Sequence, residues 1–183
     1  MKSIHSRAAL FVSALLLAPM AVQAAPPTKA EYDAAKNTIS ANYKAAKDAC
    51  DSLKANAKDI CEEEAKAAEK NARAELEFRA SGKPADGTRV QIVKADGIYE
   101  VAKERCDDLS GNAKDVCNKE AKAAHVAAIA AAKSPNASAE SRAEAKEDVN
   151  EAKYKAAAEK CDTLSGDAKT ACIQAAKTAH GQR

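Results

Sequence analysis

The chain has no tryptophan, two phenylalanines, two methionines, five prolines and three histidines in 183 residues. So few aromatics exclude a core of stacked rings. The two methionines, Met1 and Met20, both lie in the N-terminal segment, so the remainder offers no thioether ligand for a soft metal. Large aliphatic residues are also scarce. Beyond Ala24, Leu, Ile, Val and Phe number four, six, six and one among 159 residues. Such a share normally signals disorder. Alanine fills the gap, with 41 of those 159 residues, and Ala, Lys and Glu are strong helix formers. The expectation is high helicity around a thin core, because each buried alanine removes little apolar area from water.

Excess charge of one sign is missing as well. The full chain has 29 basic and 27 acidic residues. Lys2 and Arg7 precede Ala25 and no acid does, which leaves 27 of each. A near-neutral chain lacks the electrostatic footprint of a nucleic-acid binder or of a protein drawn to anionic membranes. Lys2 and Arg7, the apolar run Ala8 to Ala18 and Val22-Gln23-Ala24 read as a secretory signal peptide over residues 1–24. That run is too short to span a bilayer comfortably, and no later charge-free stretch approaches the necessary length. The expected compartment is the periplasm, with no stable membrane insertion.

Six cysteines stand in three equivalent segments. Tyr43 to Ala68 carries Cys50, Leu53 and Cys61; Tyr99 to Ala124 carries Cys106, Leu109 and Cys117; Tyr154 to Ala179 carries Cys161, Leu164 and Cys172. The first two share 16 of 26 positions, and the cysteines recur at offsets of 56 and 55. Aspartate follows the first cysteine in every copy. Each unit reads as two helices broken between its cysteines. Ser110-Gly111 and Ser165-Gly166 supply that break in units two and three, with Gly111 suited to a left-handed cap. Asn112 with Asp115 resembles a capping box, and Asn56 with Asp59 repeats it. Unit one has no glycine there, so a helix continuous through Lys54-Ala55 stays open.

Helices are expected near 29–54, 57–80, 89–110, 112–133, 138–165 and 167–180. Hairpin units occupy 25–80, 89–133 and 138–183, with linkers at 81–88 and 134–137. The fold class is all-α: three tandem disulfide-linked helical hairpins, as a compact bundle or a short repeat array. The Pro- and Gly-containing breaks argue against one long coiled-coil rod.

Cysteines eleven apart in one straight helix would be about 16 Å apart along its axis and could not bond. A hairpin with its turn midway brings them opposite each other. The expected pairs are Cys50–Cys61, Cys106–Cys117 and Cys161–Cys172. Swapped or intermolecular pairing is the alternative. A zinc or copper site lacks convergent ligands, and a redox dithiol would want its cysteines two residues apart. His125 and His180 hold equivalent positions, with Glu69 at the third; a polar helix position is the plain reading and a pH-sensitive contact the other. Tyr43, Tyr99 and Tyr154 lie two turns before the first cysteine of each unit. They are read as packing beside the disulfide, or as a repeated binding surface. No catalytic residue, cofactor site or metal site emerges.

The Ala-Lys-Glu background, as in Glu62 to Leu76, together with the signal segment loosely resembles the alanine-rich, TolA-like periplasmic helical proteins of Gram-negative bacteria. That resemblance implies a compartment and no residue role. The paired cysteines and short units depart from it. The functional expectation is a non-catalytic protein of the cell envelope with a binding, scaffolding or chaperone-like role, extending to envelope stress, whose partners are envelope proteins or peptides. A metal-binding or metal-stress protein and a passive spacer are the alternatives. N-terminal sequencing of the envelope fraction should read Ala-Pro-Pro from Ala25; an intact Met1 in the cytosol would remove the oxidising compartment that the disulfides require.

Overall fold

A computed structural model describes residues 25–183. The expected signal segment, residues 1–24, lies outside them. The fold is all-α, with six helices: α1 Lys29–Cys50, α2 Asn56–Ser81, α3 Pro84–Cys106, α4 Gly111–Lys133, α5 Ala139–Lys160 and α6 Gly166–Ala179. Among the described residues no strand occurs. Each helix packs on its neighbours in the chain, in the order α1, α2, α3, α4, α5, α6. Short connections force antiparallel neighbours. The result is an up-and-down row, a helical-repeat scaffold. Among the described residues no helix is long and apolar enough to cross a membrane.

Local chemistry sets the ends. Thr28 and Glu31 form a reciprocal capping box on α1. Ser138 caps α5 by accepting from the Ser141 amide. Pro84 opens α3 at its first turn, where its missing N–H is no loss, so most of the stretch expected as a linker at 81–88 is helix. Only Gly82 and Lys83 connect α2 to α3. The first helix of each unit stops at or next to its first cysteine rather than four residues later.

A turn also separates α1 from α2, so unit one is a hairpin like the others. All three turns reverse at the fifth residue past the first cysteine. Gly111 and Gly166 take φ +55° and +56° there, and Ala55 takes φ +50° with ψ −146°. Glycine adopts that region freely, whereas an L side chain is strained in it.

The core is as thin as the composition implies. Its buried residues are Leu76, Val90, Val101, six alanines along the helix faces, and the first cysteine of every unit, each of which is wholly buried. Gly97 is buried in α3 and does not interrupt it. A Cβ there would lie 2.8 Å from the Ala67 Cβ, so the glycine permits the close approach of α2 and α3.

The interfaces between units repeat a small set of polar contacts. Asn56 Nδ2 donates to the Glu104 carbonyl at 2.7 Å, and Asn112 Nδ2 donates to the Glu159 carbonyl at 2.9 Å. These asparagines do not cap their own helices, as the capping-box reading supposed; their amides reach into the next hairpin. Beside them Arg105 pairs with Glu64 and Lys160 with Glu120, both at 2.6 Å. The equivalent positions on the outer helices are different. Ala49 stands in α1 where Arg105 and Lys160 stand in α3 and α5, and Ala175 stands in α6 where Glu64 and Glu120 stand. Asp167, whose side chain has no amide to donate, replaces the asparagine. The joining residues are present where one unit meets the next and absent from the outer helices.

The strained Ala55 generates a stability prediction. Ala55→Gly should stabilise the oxidised protein by about 1 kcal/mol. Thermal unfolding should show a melting temperature a few degrees higher, and Gly111→Ala should lower it by a similar amount; an unchanged Ala55→Gly variant would mean that the turn relaxes without cost.

Candidate functional site

Three near-identical tips lie along one edge of the row. The α1–α2, α3–α4 and α5–α6 turns all fall at the same end because the helices alternate in direction. In each tip the leucine amide donates to the first cysteine's carbonyl, at 2.9, 3.0 and 2.9 Å for Leu53, Leu109 and Leu164. The disulfides Cys50–Cys61, Cys106–Cys117 and Cys161–Cys172 clamp the helices at Cα separations of 5.7, 5.7 and 5.8 Å. An aspartate and a lysine bridge each tip: Asp51–Lys58 at 2.8 Å, Asp107–Lys114 at 3.0 Å and Asp162–Lys169 at 2.8 Å. The hydrogen bond from Lys58, followed by its charge, holds the Asp51 carboxyl below the ordinary carboxylate range, and the same bond raises the Lys58 ammonium. Leu53, Leu109 and Leu164 are 40%, 44% and 42% exposed. Three of the four leucines beyond residue 24 therefore sit at the surface, while the fourth, Leu76, is among the most buried side chains.

The tyrosines occupy three different settings. Tyr43 is half-buried and lines a groove between α1 and α2 with Ile39, Ala46 and Ala72. Tyr99 stacks on His125, with ring centroids 4.7 Å apart and planes 20° apart. Lys103 and Lys122 hold their ammonium groups 5.0 and 5.4 Å from the Tyr99 centroid. His125 Nε2 lies 2.6 Å from Asp96 Oδ1, which assigns that nitrogen as the donor to the carboxylate. His125 Nδ1 is buried without a hydrogen-bond partner. Tyr154 is half-buried on α5, and His180 ends α6 as its cap. Glu69, the unit-one counterpart of the histidines, pairs with Arg73 at 2.7 Å. The repeat thus brings tyrosine and histidine together in unit two. The equal sequence offsets alone could not distinguish that stacked pair from its unit-three counterpart.

A groove that no short motif announced runs between α2 and α3. Close approach at Gly97 and Ala67 sets its floor, and Ala68, Ile98, Val101 and Ala102 line it; its volume is about 560 Å³. Ile98 is 71% exposed, the most exposed large aliphatic side chain in the described residues. The Glu64–Arg105 pair marks one end of the groove. The Asn71 side chain also lines it, and its Oδ1 is buried without a partner. The equivalents of Ile98 are Asn42 and Lys153, so among the three units this isoleucine is peculiar to unit two.

All six cysteines are engaged in disulfides. Among the described residues no group of three or more His, Cys, Asp or Glu side chains could hold a metal ion. What the arrangement offers is surface: an apolar groove, an aromatic–imidazole stack and a repeated edge. Comparison with known proteins finds no matching family model, no matching curated protein and no matching solved structure.

The Tyr99–His125 stack should contribute about 1 kcal/mol beyond the area it buries. A double-mutant cycle with Tyr99→Leu and His125→Leu, followed by urea unfolding, should return a coupling of that order; additive effects would reduce the contact to simple burial.

Proposed function

We propose that this protein is a non-catalytic scaffold of the cell envelope that holds an apolar segment of a partner protein or peptide against its α2–α3 groove. The observation that carries this reading is Ile98. A chain with few large aliphatic residues places one largely in water, beside a groove of small side chains. An exposed apolar side chain next to a preformed apolar concavity marks a surface suited to binding. The disulfide-clamped hairpins on either side would hold that surface in shape without a large core. Repeated helical hairpins also supply broad faces for polar contacts around an apolar centre. Residence in the periplasm rests on the signal-like segment and on the loose resemblance to TolA-like envelope proteins. Tyr43, in its own groove, is available as a second contact, whereas Tyr99 is engaged by His125 and the two lysines.

A photo-crosslinking residue placed at Ile98 should capture a recurring envelope partner in the intact periplasm. The same residue at Lys153, the equivalent position in unit three, should capture far less. With the photo-crosslinking residue moved to Ala102 in the same groove, Ile98→Asp should reduce capture by about tenfold or more, as expected for loss of an apolar anchor. Equal yields from positions 98 and 153 would sink the groove reading, and stoichiometric metal retained by the purified protein would favour a metal-handling role.

A further inference from the structure

The tip edge repeats three times a property of a single hairpin tip: its order of helix ends is complementary to itself under a two-fold rotation. Along the edge the helix ends alternate, because α1, α3 and α5 finish there and α2, α4 and α6 begin there. Helix C-termini carry partial negative charge and N-termini partial positive charge. Read in the order α1 to α6, the edge presents negative, positive, negative, positive, negative, positive. A second copy rotated by 180° presents the reverse order. Every helix C-terminus then meets a helix N-terminus: α1 against α6, α2 against α5, and α3 against α4 of the other copy.

The side chains follow the same rule. Asp51 and Asp107 cap the C-terminal ends of α1 and α3, and Asp162 follows α5 within two residues. An anion at a helix C-terminus opposes the macrodipole of its own helix. Lys58, Lys114 and Lys169 stand in the opening turns of α2, α4 and α6, which is equally unfavourable for a cation. Within one copy these groups offset the misplacement by pairing with each other. Across the two-fold, each aspartate would face a helix N-terminus and a lysine, and each lysine a helix C-terminus and an aspartate. The half-exposed leucines fall into register too. Leu109 would meet its own counterpart on the axis, and Leu53 would meet Leu164.

We propose that the edge carrying Leu53, Leu109 and Leu164 pairs with the same edge of a second copy of this chain, tip one on tip three and tip two on tip two. The pairing requires evenly spaced tips, and three near-identical hairpins with cysteine offsets of 56 and 55 residues suit that requirement. Six helices at interaxial distances of about 8–10 Å make an edge about 50 Å long and about 10 Å deep, so the pair would bury about 1,000 Å² in total. That area is at the lower limit for a specific interface and corresponds to a weak, reversible dimer. The balance of 27 acidic and 27 basic residues beyond Ala24 adds no net repulsion. Lateral association through the outer faces of α1 and α6 lacks the asparagine, glutamate and arginine or lysine that join one unit to the next, so the second copy is assigned to the edge. This pairing does not rest on the groove reading, since Ile98 lies on a helix face rather than at a tip.

The test is sedimentation velocity of the oxidised mature protein over a range of concentrations. A monomer–dimer equilibrium is expected. Leu109→Lys places two like charges on the axis and should weaken association by about tenfold or more. A matched pair of double variants removes the question of folding. Leu53→Lys with Leu164→Glu sets opposite charges against each other and should keep the dimer. Leu53→Lys with Leu164→Lys should lose it. Circular dichroism should be the same for both. A chain that stays monomeric at every concentration, a dimer indifferent to Leu109→Lys, or two double variants that behave alike would each overturn the proposal.

Discussion

The clamp at each hairpin tip is the constraint on which the structure depends. Burial of alanine alone gives two antiparallel helices little reason to stay together. The disulfide joins them next to their turn and removes about 3 kcal/mol of loop-closure freedom from the unfolded chain in the entropic account. It also acts as core. Cys50, Cys106 and Cys161 are wholly buried, as is almost nothing else apart from Leu76. The sulfurs thereby take the place that leucine and phenylalanine hold in an ordinary bundle. The consequence is a dependence on oxidising conditions, because the sulfurs hold the hairpins only when bonded.

Clamping fixes each hairpin but says nothing about how hairpins meet, and a different set of residues does that. An asparagine amide reaches a backbone carbonyl of the next unit, and an ion pair closes beside it. Exposed ion pairs of this kind contribute little alone. Their value is positional, because they fix the register of one helix on another where alanine faces are too smooth to do so. At Gly97 the approach becomes close enough to create a groove floor. The three units are alike at their tips and differ at their outward surfaces. Ala49, Asp167 and Ala175 stand on outer helices, and Ile98 appears in the central unit only.

A row of helices in which each contacts its chain neighbours exposes more surface than a closed bundle of the same length. It presents faces with grooves and an edge of tips, two kinds of surface that differ in chemistry. The junction of units one and two carries the apolar concavity, and unit two carries the Tyr99–His125 stack. The edge carries charges set against the dipoles of their own helices. Neither feature requires a converging constellation of reactive groups, and both follow from repetition of one hairpin with small changes.

Much of the fold was legible in the sequence because the determinants are local. The cysteine, aspartate and leucine spacing revealed the repeat, helix formers dominated the segments between breaks, and a turn midway between cysteines favoured pairing within each unit while leaving swapped pairing and a continuous first unit open. The helix ends were less legible: Pro84 reads equally well as a linker residue or as a first helical residue until its neighbours are placed. The candidate sites were least legible. Asn56 and Asn112 look like helix caps in one dimension, yet they bond carbonyls 48 and 47 residues away. His125 and His180 occupy equal offsets, but only His125 meets a stacked tyrosine and an aspartate. The exposure of Ile98 depends on which face of α3 turns from the row, and the depth of its groove on how near Ala67 comes to Gly97. Helices, the repeat and two of the three hairpin turns follow from residue order alone, because they depend on contacts within a dozen residues, whereas the unit-one turn at Ala55 and the choice among sulfur pairings were decided by the fold. The joints, the groove and the edge came into being only with the folded chain, because they arise where separate helices approach and where side chains far apart in the chain are left facing one another or water.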